Sequence, residues 1–139
     1  AYNCILYNIE KKRGMKKNIL VIDDELSIRM LLENYLSKKY KVVTKVDGQE
    51  GIKYLEEGNM PDLIVVDIQM PNLDGYEFLK QLKASGFFKN IPIIMLSGIE
   101  SSQERVKFLK MGADDYIVKP FNPEELSIRI DNLISRTSK

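Results

Sequence analysis

The chain has 139 residues, 44% of them hydrophobic and 29% charged, which is typical of one globular domain with a single core. Its 21 lysines and arginines nearly balance 20 aspartates and glutamates, so the net charge of +1 does not indicate a nucleic acid or an anionic membrane as a partner. The chain contains no histidine, which excludes histidine-based acid–base catalysis, Ser/His/Asp triads, histidine metal ligands and a phosphohistidine of its own.

The first residues of the chain do not have the pattern of a secretory signal. In residues 1–14 a short apolar patch precedes the charges, the reverse of a secretory signal, and Met15 follows. We therefore expect the domain to occupy residues 15–139, with residues 1–14 as an extension from cloning or from an upstream start; a basic arm that binds a partner is the alternative. The single cysteine, Cys4, excludes an internal disulfide and a cysteine-based zinc cluster and suits a reducing compartment. No apolar run approaches the length of a membrane span.

The first half of the chain alternates strand and helix patterns. Asn18–Ile22 is an apolar run of strand length. Leu26–Leu36 has the periodicity of an amphipathic helix whose inward face consists of Ile28, Leu31, Leu32, Tyr35 and Leu36. Tyr40–Lys45 is a second strand pattern, followed by a helix over Asp47–Gly58 that ends at its glycine. Asp62–Asp67 is a third strand with β-branched residues at its centre.

The second half continues the same alternation. A helix is predicted from Gly75 to about Ala84, a fourth strand over Pro92–Leu96 and a fourth helix over Gln103–Met111. Asp115–Val118 is the fifth strand, and a last helix runs from Pro123, capped by Asn122, to near Ser135. Such apolar strands, each followed by a helix, are typical of a parallel sheet covered on both faces. We predict a three-layer α/β sandwich with five parallel strands and five helices.

Two helices carry apolar residues outside their predicted inward stripes. On the last helix Ile128 lies off the inward stripe, which consists of Leu126, Ile130, Leu133 and Ile134. On the fourth helix the predicted stripe is Val106 and Leu109, which leaves Phe108 outside it. We expect both outlying side chains at the surface, incidental or in a weak partner contact.

Polar side chains follow four of the five strands. The first strand ends in Asp23 and Asp24, the third in Asp67, the fourth in Ser97 and the fifth in Lys119, whereas the second ends in nothing comparable. The binding crevice of an open parallel sheet lies beyond these carboxyl ends. If the second strand is the edge, the order is 2-1-3-4-5, as in flavodoxin-like folds, and the groups converge. Three carboxylates without histidine or cysteine suit Mg²⁺ or Mn²⁺, bound with water and a phosphoryl group. Lys119 could pair with Asp67 and with phosphate oxygens.

Four segments together resemble the receiver domain of two-component response regulators. They are Asp23-Asp24, DIQMPNLDG from Asp67 to Gly75, Leu96-Ser97-Gly98, and GADDYIVKPF from Gly112 to Phe121. They occur in the family's order and on the matching elements, and the resemblance covers residues 18 to about 136.

The resemblance implies a role for each residue at the strand ends. It implies that Asp67 is the phosphoacceptor and that Ser97 and Lys119 bind the phosphoryl group. The implied Mg²⁺ ligands are the carboxylates of Asp23, Asp24 and Asp67 and the backbone carbonyl of Gln69. Two further features are implied, a switch aromatic at Tyr116 and a cis peptide bond between Lys119 and Pro120.

The implied function is a phosphorylation-activated switch of a phosphorelay, not an enzyme acting on other substrates. The domain would assist its own phosphorylation and its slow dephosphorylation, with Gln69 and Ile99 flanking the path of the attacking water. The phosphoryl donor would be a sensor histidine kinase or a histidine phosphotransfer protein, since this chain has no histidine. Output would pass through the face of the fourth helix, fifth strand and fifth helix to a downstream protein or a second copy. Because the chain ends soon after the last helix, we expect no direct nucleic acid binding by this chain, which is either a regulator that acts alone through a protein partner or a fragment of a longer one. The lack of an apolar span and the single cysteine lead us to expect no membrane contact and a cytoplasmic location.

Three alternatives fit the pattern less well. A phosphohydrolase of the haloacid dehalogenase type has its nucleophile on the first strand and a second aspartate two residues later, whereas here the candidate is on the third strand and Gln69 stands two residues on. A flavodoxin-like FMN carrier needs phosphate donors in its first loop, where Asp23 and Asp24 would repel a phosphate. A degenerate receiver acting as a scaffold is disfavoured because the acidic and phosphate-binding set is complete.

Overall fold

The computed structural model describes residues 16–137, so the predicted extension of residues 1–14 lies outside the described residues. The strands are β1 (Asn18–Ile22), β2 (Lys41–Lys45), β3 (Leu63–Asp67), β4 (Ile93–Ser97) and β5 (Asp115–Val118). The helices are α1 (Leu26–Leu36), α2 (Gly48–Glu56), α3 (Gly75–Ala84), α4 (Ser102–Lys110) and α5 (Pro123–Thr137). Every predicted element is present, with its ends within two residues of the prediction.

The five strands form one parallel sheet in the order β2-β1-β3-β4-β5, which confirms the predicted topology. The strands β3 and β4 at its centre are buried along their whole length, as expected for strands covered on both faces. The register pairs Ile22 with Val66, Asp67 with Leu96, and Ser97 with Val118. The carboxyl ends of β1, β3, β4 and β5 therefore lie side by side at one edge of the sheet.

Two apolar clusters lie on opposite faces of the sheet, because alternate residues of each strand point to opposite sides. One face is covered by α2, α3 and α4, and the β1 side chains that pack on this side are Leu20 and Ile22. The other face is covered by α1 and α5, and the β1 side chains that pack there are Ile19 and Val21. Within residues 16–137, no helix is long and apolar enough to cross a bilayer.

The buried faces of two helices differ from the prediction. On α4, Phe108 is buried at 2% exposure whereas Val106 and Leu109 are 48% and 42% exposed, so the predicted inward stripe is wrong. A nine-residue helix with three apolar residues does not fix its own face; Phe108 turns inward because its ring packs against Tyr76 and Tyr116, each at a centroid distance of 6.3 Å. On α1, Leu31 is 40% exposed although it was predicted inward.

The last helix agrees with its predicted stripe. All four residues of that stripe are buried, and Ile128 is 51% exposed. The cap at the start of α5 is also as predicted, since Asn122 Oδ1 accepts a hydrogen bond from the backbone N–H of Glu124 at 2.8 Å.

Candidate functional site

The polar residues at the strand ends meet at the carboxyl edge of the sheet. Asp23 and Ser97 have no exposed surface, and Asp67 is 4% exposed, whereas Asp24 is exposed. The backbone N–H of Asp23 donates to Lys45 O at 3.1 Å, which continues the β1–β2 pairing by one residue and fixes this carboxylate at the sheet edge. Burial of two carboxylates at one place is unfavourable without a compensating cation.

Four carboxylates cluster at this edge. Asp23, Asp24, Glu25 and Asp67 each place a carboxylate oxygen within 4.8 Å of the others. The donor set is oxygen alone, part buried and part open to solvent, and carries more negative charge than one ammonium group neutralises. Such a set fits a hard divalent cation such as Mg²⁺ or Mn²⁺ that retains some of its water ligands.

The ammonium group of Lys119 lies against three of these carboxylates. Its Nζ is 2.8 Å from Asp23 Oδ2, 3.2 Å from Glu25 Oε1 and 3.5 Å from Asp67 Oδ1. Burial alone lowers the pKa of Lys119, but the hydrogen bond to Asp23 and the charges of Asp23 and Asp67 outweigh it, so its pKa is raised. Lys119 is therefore a permanent cation at the site, and the peptide bond that joins it to Pro120 is cis.

The two buried carboxyl groups have raised pKa values. Burial raises the pKa of Asp67 from 3.8 to about 6, the charge of Asp23 adds to the increase, and the charge of Lys119 opposes it. Burial also raises the pKa of Asp23, against the hydrogen bonds from Lys119 and from the backbone of Glu25. Asp67 is thus mostly ionised at neutral pH, which leaves a carboxylate able to act as a nucleophile.

The hydroxyl group of Ser97 is bonded to α4. It donates to Glu104 Oε1 at 2.8 Å and accepts from the backbone N–H of Ile99 at 3.0 Å. The Tyr116 hydroxyl contacts the same Glu104 Oε1 at 2.5 Å and Ile99 O at 2.9 Å. Tyr116 is buried, and burial together with the Glu104 hydrogen bond raises its pKa. In this structure, then, Ser97 and Tyr116 are joined through one carboxylate oxygen.

The loop after β3 packs tightly under Asp67. A Cβ at Gly75 would lie 2.6 Å from Asp67 O and 2.7 Å from Ile68 Cα, so only glycine allows this approach. The backbone N–H of Gly75 donates to Ile68 O at 2.9 Å. Gln69 is exposed in this loop, and its backbone hydrogen bond to Asp67 lowers the pKa of that carboxyl against the effect of burial.

Two acidic residues belong to this arrangement that were not predicted from the sequence. Glu25 directly follows Asp23-Asp24, and this adjacency in the sequence could have indicated that it belongs to the acidic cluster. Glu104 is the third residue after Ser101, whose side chain accepts from the Glu104 N–H at 3.3 Å, and this Ser-x-x-Glu spacing indicates a capping box. Here the Glu104 carboxylate bonds Ser97 and Tyr116, a tertiary contact that the spacing does not predict.

The chain is similar to known proteins both in sequence and in fold. A family model described as the response regulator receiver domain matches residues 19–131. A receiver domain from the Francisella response regulator 1452 superposes with a TM-score of 0.82 at 35% identity, covering 87% of this chain and 98% of that one.

Curated relatives are longer than this chain. The probable transcriptional regulator ycf27 of Cyanophora paradoxa is 47% identical over 123 residues, which are 88% of this chain and 50% of that protein. The alkaline phosphatase synthesis transcriptional regulatory protein PhoP of Bacillus subtilis is 43% identical over 124 residues, with the same two coverages of 88% and 50%. The chain thus spans about half the length of the curated relatives it matches.

Proposed function

The chain belongs to the response regulator receiver domain family of two-component systems, and from this premise we propose that it is a phosphorylation-activated switch whose phosphoacceptor is Asp67. The observation that carries the proposal is the environment of the Asp67 carboxylate, which combines burial, a nearby cation and further acidic groups. Asp67 ends the central strand β3, is 4% exposed, and faces Lys119 Nζ at 3.5 Å within a cluster of four carboxylates. A nucleophile beside a fixed cation, with oxygen ligands for a metal, suits phosphoryl transfer.

In the proposed reaction an Asp67 oxygen attacks the phosphorus of a phosphohistidine on another protein. The new O–P bond forms as the N–P bond breaks, and the donor histidine leaves with the electron pair and takes up a proton. Lys119 faces the transferred group and stabilises the negative charge on its oxygens. Hydrolysis resets the switch: water attacks the phosphorus, the acyl phosphate O–P bond breaks, and Asp67 regains its carboxylate as inorganic phosphate leaves.

The residues that would hold a divalent ion are the carboxylates of Asp23, Asp24 and Asp67 and the backbone carbonyl of Gln69. The ion is Mg²⁺, with Mn²⁺ as the alternative, in keeping with the acidic pocket of the family and with the oxygen-only donors found here. When bound it would supply positive charge next to the phosphoryl oxygens.

The switch in this proposal is a competition for the Ser97 hydroxyl. That hydroxyl now donates to Glu104, and a phosphoryl group on Asp67 offers a competing acceptor. One such hydrogen bond contributes about 1 kcal/mol, whereas a shift from 1:99 to 99:1 takes about 5.5 kcal/mol, so charge-assisted contacts of Lys119 must supply much of the difference. Because Tyr116 shares the Glu104 oxygen, a move of Ser97 would be transmitted to the face of α4, β5 and α5.

The partners in this proposal follow from the family and the composition. Response regulators act with histidine kinases, and this chain lacks a histidine, so the donor is a sensor histidine kinase or a histidine phosphotransfer protein. The relatives named above are transcriptional regulators, and this chain matches about half of the length of each. Output would reach a downstream protein, or a second copy, through the face of α4, β5 and α5, with no nucleic acid bound by residues 16–137; the proposed location is the cytoplasm.

The test is phosphorylation by a small-molecule donor. The protein is incubated with Mg²⁺ and acetyl phosphate, and intact mass is measured. We expect an increase of one phosphoryl group in the wild type and none in Asp67→Asn. The matched control is Asp74→Asn, which changes an exposed acid of the same loop to a residue that also caps helices. An adduct that persists in Asp67→Asn, or that forms equally in EDTA, would contradict the assignment.

A further inference from the structure

One buried carboxylate has no part in the site described above. In the part of the chain that the structure describes, the buried polar or charged residues are Asp23, Asp47, Asp67 and Ser97. Three of them form the site at the sheet edge. Asp47 is 6% exposed and follows β2, the one strand whose end carried no candidate group. A buried carboxylate is unfavourable unless its oxygens are hydrogen-bonded, so its bonds indicate what it does.

The two oxygens of Asp47 serve two different segments. Oδ1 accepts from the Glu50 N–H at 2.8 Å and caps α2. Oδ2 accepts from Asn72 Nδ2 at 2.7 Å, across 25 residues of sequence. Asn72 belongs to the loop of residues 68–74 that follows Asp67, and its φ of +67° lies in the left-handed region, which asparagine tolerates better than most residues.

A backbone contact fixes the same loop beside this bond. The Gly48 N–H donates to Leu73 O at 3.1 Å, and a Cβ at Gly48 would lie 2.5 Å from that oxygen. The hydrogen bond from Gly75 N to Ile68 O closes the base of the loop. Gln69 lies between Ile68 and Asn72, so the position of its backbone carbonyl depends on how firmly the loop is held against α2.

We propose that Asp47, through Asn72, is a positioning residue for the metal site: it holds the loop of residues 68–74 so that the Gln69 carbonyl is presented to the cation. The inference rests on the proposed function, in which that carbonyl is a ligand. A loop ordered before binding spares the ion the entropy of ordering it, which raises affinity. A helix cap alone needs one oxygen, as at Asp74, whose side chain caps α3 through a single bond to Glu77 N. The second oxygen of Asp47 accepts a hydrogen bond from the loop instead.

Two substitutions remove the hydrogen bond between Asp47 and Asn72 but keep the cap of α2 or the backbone conformation of the loop. Asp47→Ser keeps an oxygen that caps α2 but leaves none to reach Asn72. Asn72→Gly removes the amide and tolerates the positive φ. The matched control is Asp74→Ser, the same change at a cap in the same loop that lacks a bond across to α2. The Kd for Mg²⁺ is measured by titration calorimetry, and thermal unfolding confirms that each variant is folded.

We expect each single variant to weaken Mg²⁺ binding about three- to tenfold and Asp74→Ser to change it less than about twofold. The double variant Asp47→Ser/Asn72→Gly should bind like the weaker single variant, because both changes remove one shared contact. Unchanged binding in the single variants, an equal loss in Asp74→Ser, or losses that multiply in the double variant would overturn the inference while leaving the proposed function intact. A wild type that binds no Mg²⁺ would overturn both.

Discussion

At the scale of single residues, Asp67 combines a role in the site with an unfavourable place in the fold. In the unfolded chain its carboxyl has an ordinary pKa of 3.8, and burial followed by repulsion from Asp23 raises this to about 6 in the folded state. Between these pH values the folded state holds the proton more tightly. The free energy of unfolding therefore falls as pH rises through this window, and the penalty is complete above it.

The first prediction concerns this penalty. Asp67→Asn should raise the free energy of unfolding at neutral pH in EDTA by about 1–3 kcal/mol, because a neutral amide avoids the burial of charge and the repulsion from Asp23. The gain should disappear below pH 3.8, where the wild-type carboxyl is protonated in both states. Urea unfolding at both pH values measures it. Asp74→Asn, an exposed acid, should stay within about 0.5 kcal/mol of the wild type, and a destabilised Asp67→Asn would contradict the electrostatic account.

Most of the site residues predicted from the sequence lie at the ends of strands or directly after them. Parallel strands end at one sheet edge, so Asp23, Asp67 and Ser97 could be brought together by topology alone. Glu104 and Asp47 could not, because both look like ordinary residues of a helix start, and their second bonds join segments distant in the sequence. The direction of the Ser97 hydroxyl, toward α4, likewise depends on a contact that no local pattern encodes.

At the scale of elements, α4 differs most from its sequence pattern. Its one buried residue is Phe108, which packs between the rings of Tyr76 and Tyr116. A helix with a single buried aromatic side chain has little apolar area to fix its orientation. That property suits an element which, in the proposed function, carries Glu104 and responds to the site.

The second prediction separates the two faces of α4. Phe108→Ala should lower the free energy of unfolding by about 3–5 kcal/mol, because it leaves a cavity between two tyrosine rings. Val106→Ala, on the same helix but 48% exposed, should cost less than about 1 kcal/mol. Urea unfolding of the two variants, compared with the wild type, provides the measurement. A larger loss in Val106→Ala than in Phe108→Ala would mean that α4 presents the Val106 and Leu109 face to the core, as its sequence pattern indicated, and equal losses would contradict the burial of Phe108 alone.

The ends of the helices were predictable because these boundaries have local causes. Asp47, Asp74 and Ser101 each cap a helix through a bond to the N–H three residues later, and such residues are recognisable in a sequence. Gly58, with φ of +98°, follows the end of α2. Faces were harder to predict than ends, since a face depends on what the helix packs against.

At the scale of the whole molecule, the site depends on the complete sheet. The two apolar clusters pack on its opposite faces, whereas the site residues come from different strands and meet at its carboxyl edge. Asp23 and Asp24 follow β1, Asp67 ends β3 and Lys119 follows β5, so the groups come together only when the sheet is complete. A cation bound here would contact the folded protein and not the unfolded chain. Binding at the site is therefore linked to the stability of the entire domain.

The last prediction follows from this linkage. Mg²⁺ at 100 times its Kd should raise the free energy of unfolding of the wild type by about 2.7 kcal/mol. Asp24→Ala removes a ligand that is exposed, so the domain should still fold, but the increment at that Mg²⁺ concentration should fall well below the wild-type value, and phosphorylation should weaken with it. Urea unfolding with Mg²⁺ or EDTA gives the increments, and Asp62→Ala, away from the cluster, is the control. If Mg²⁺ stabilises Asp24→Ala as much as the wild type, the cation binds elsewhere, and the carboxylates at the sheet edge interact with Lys119 alone.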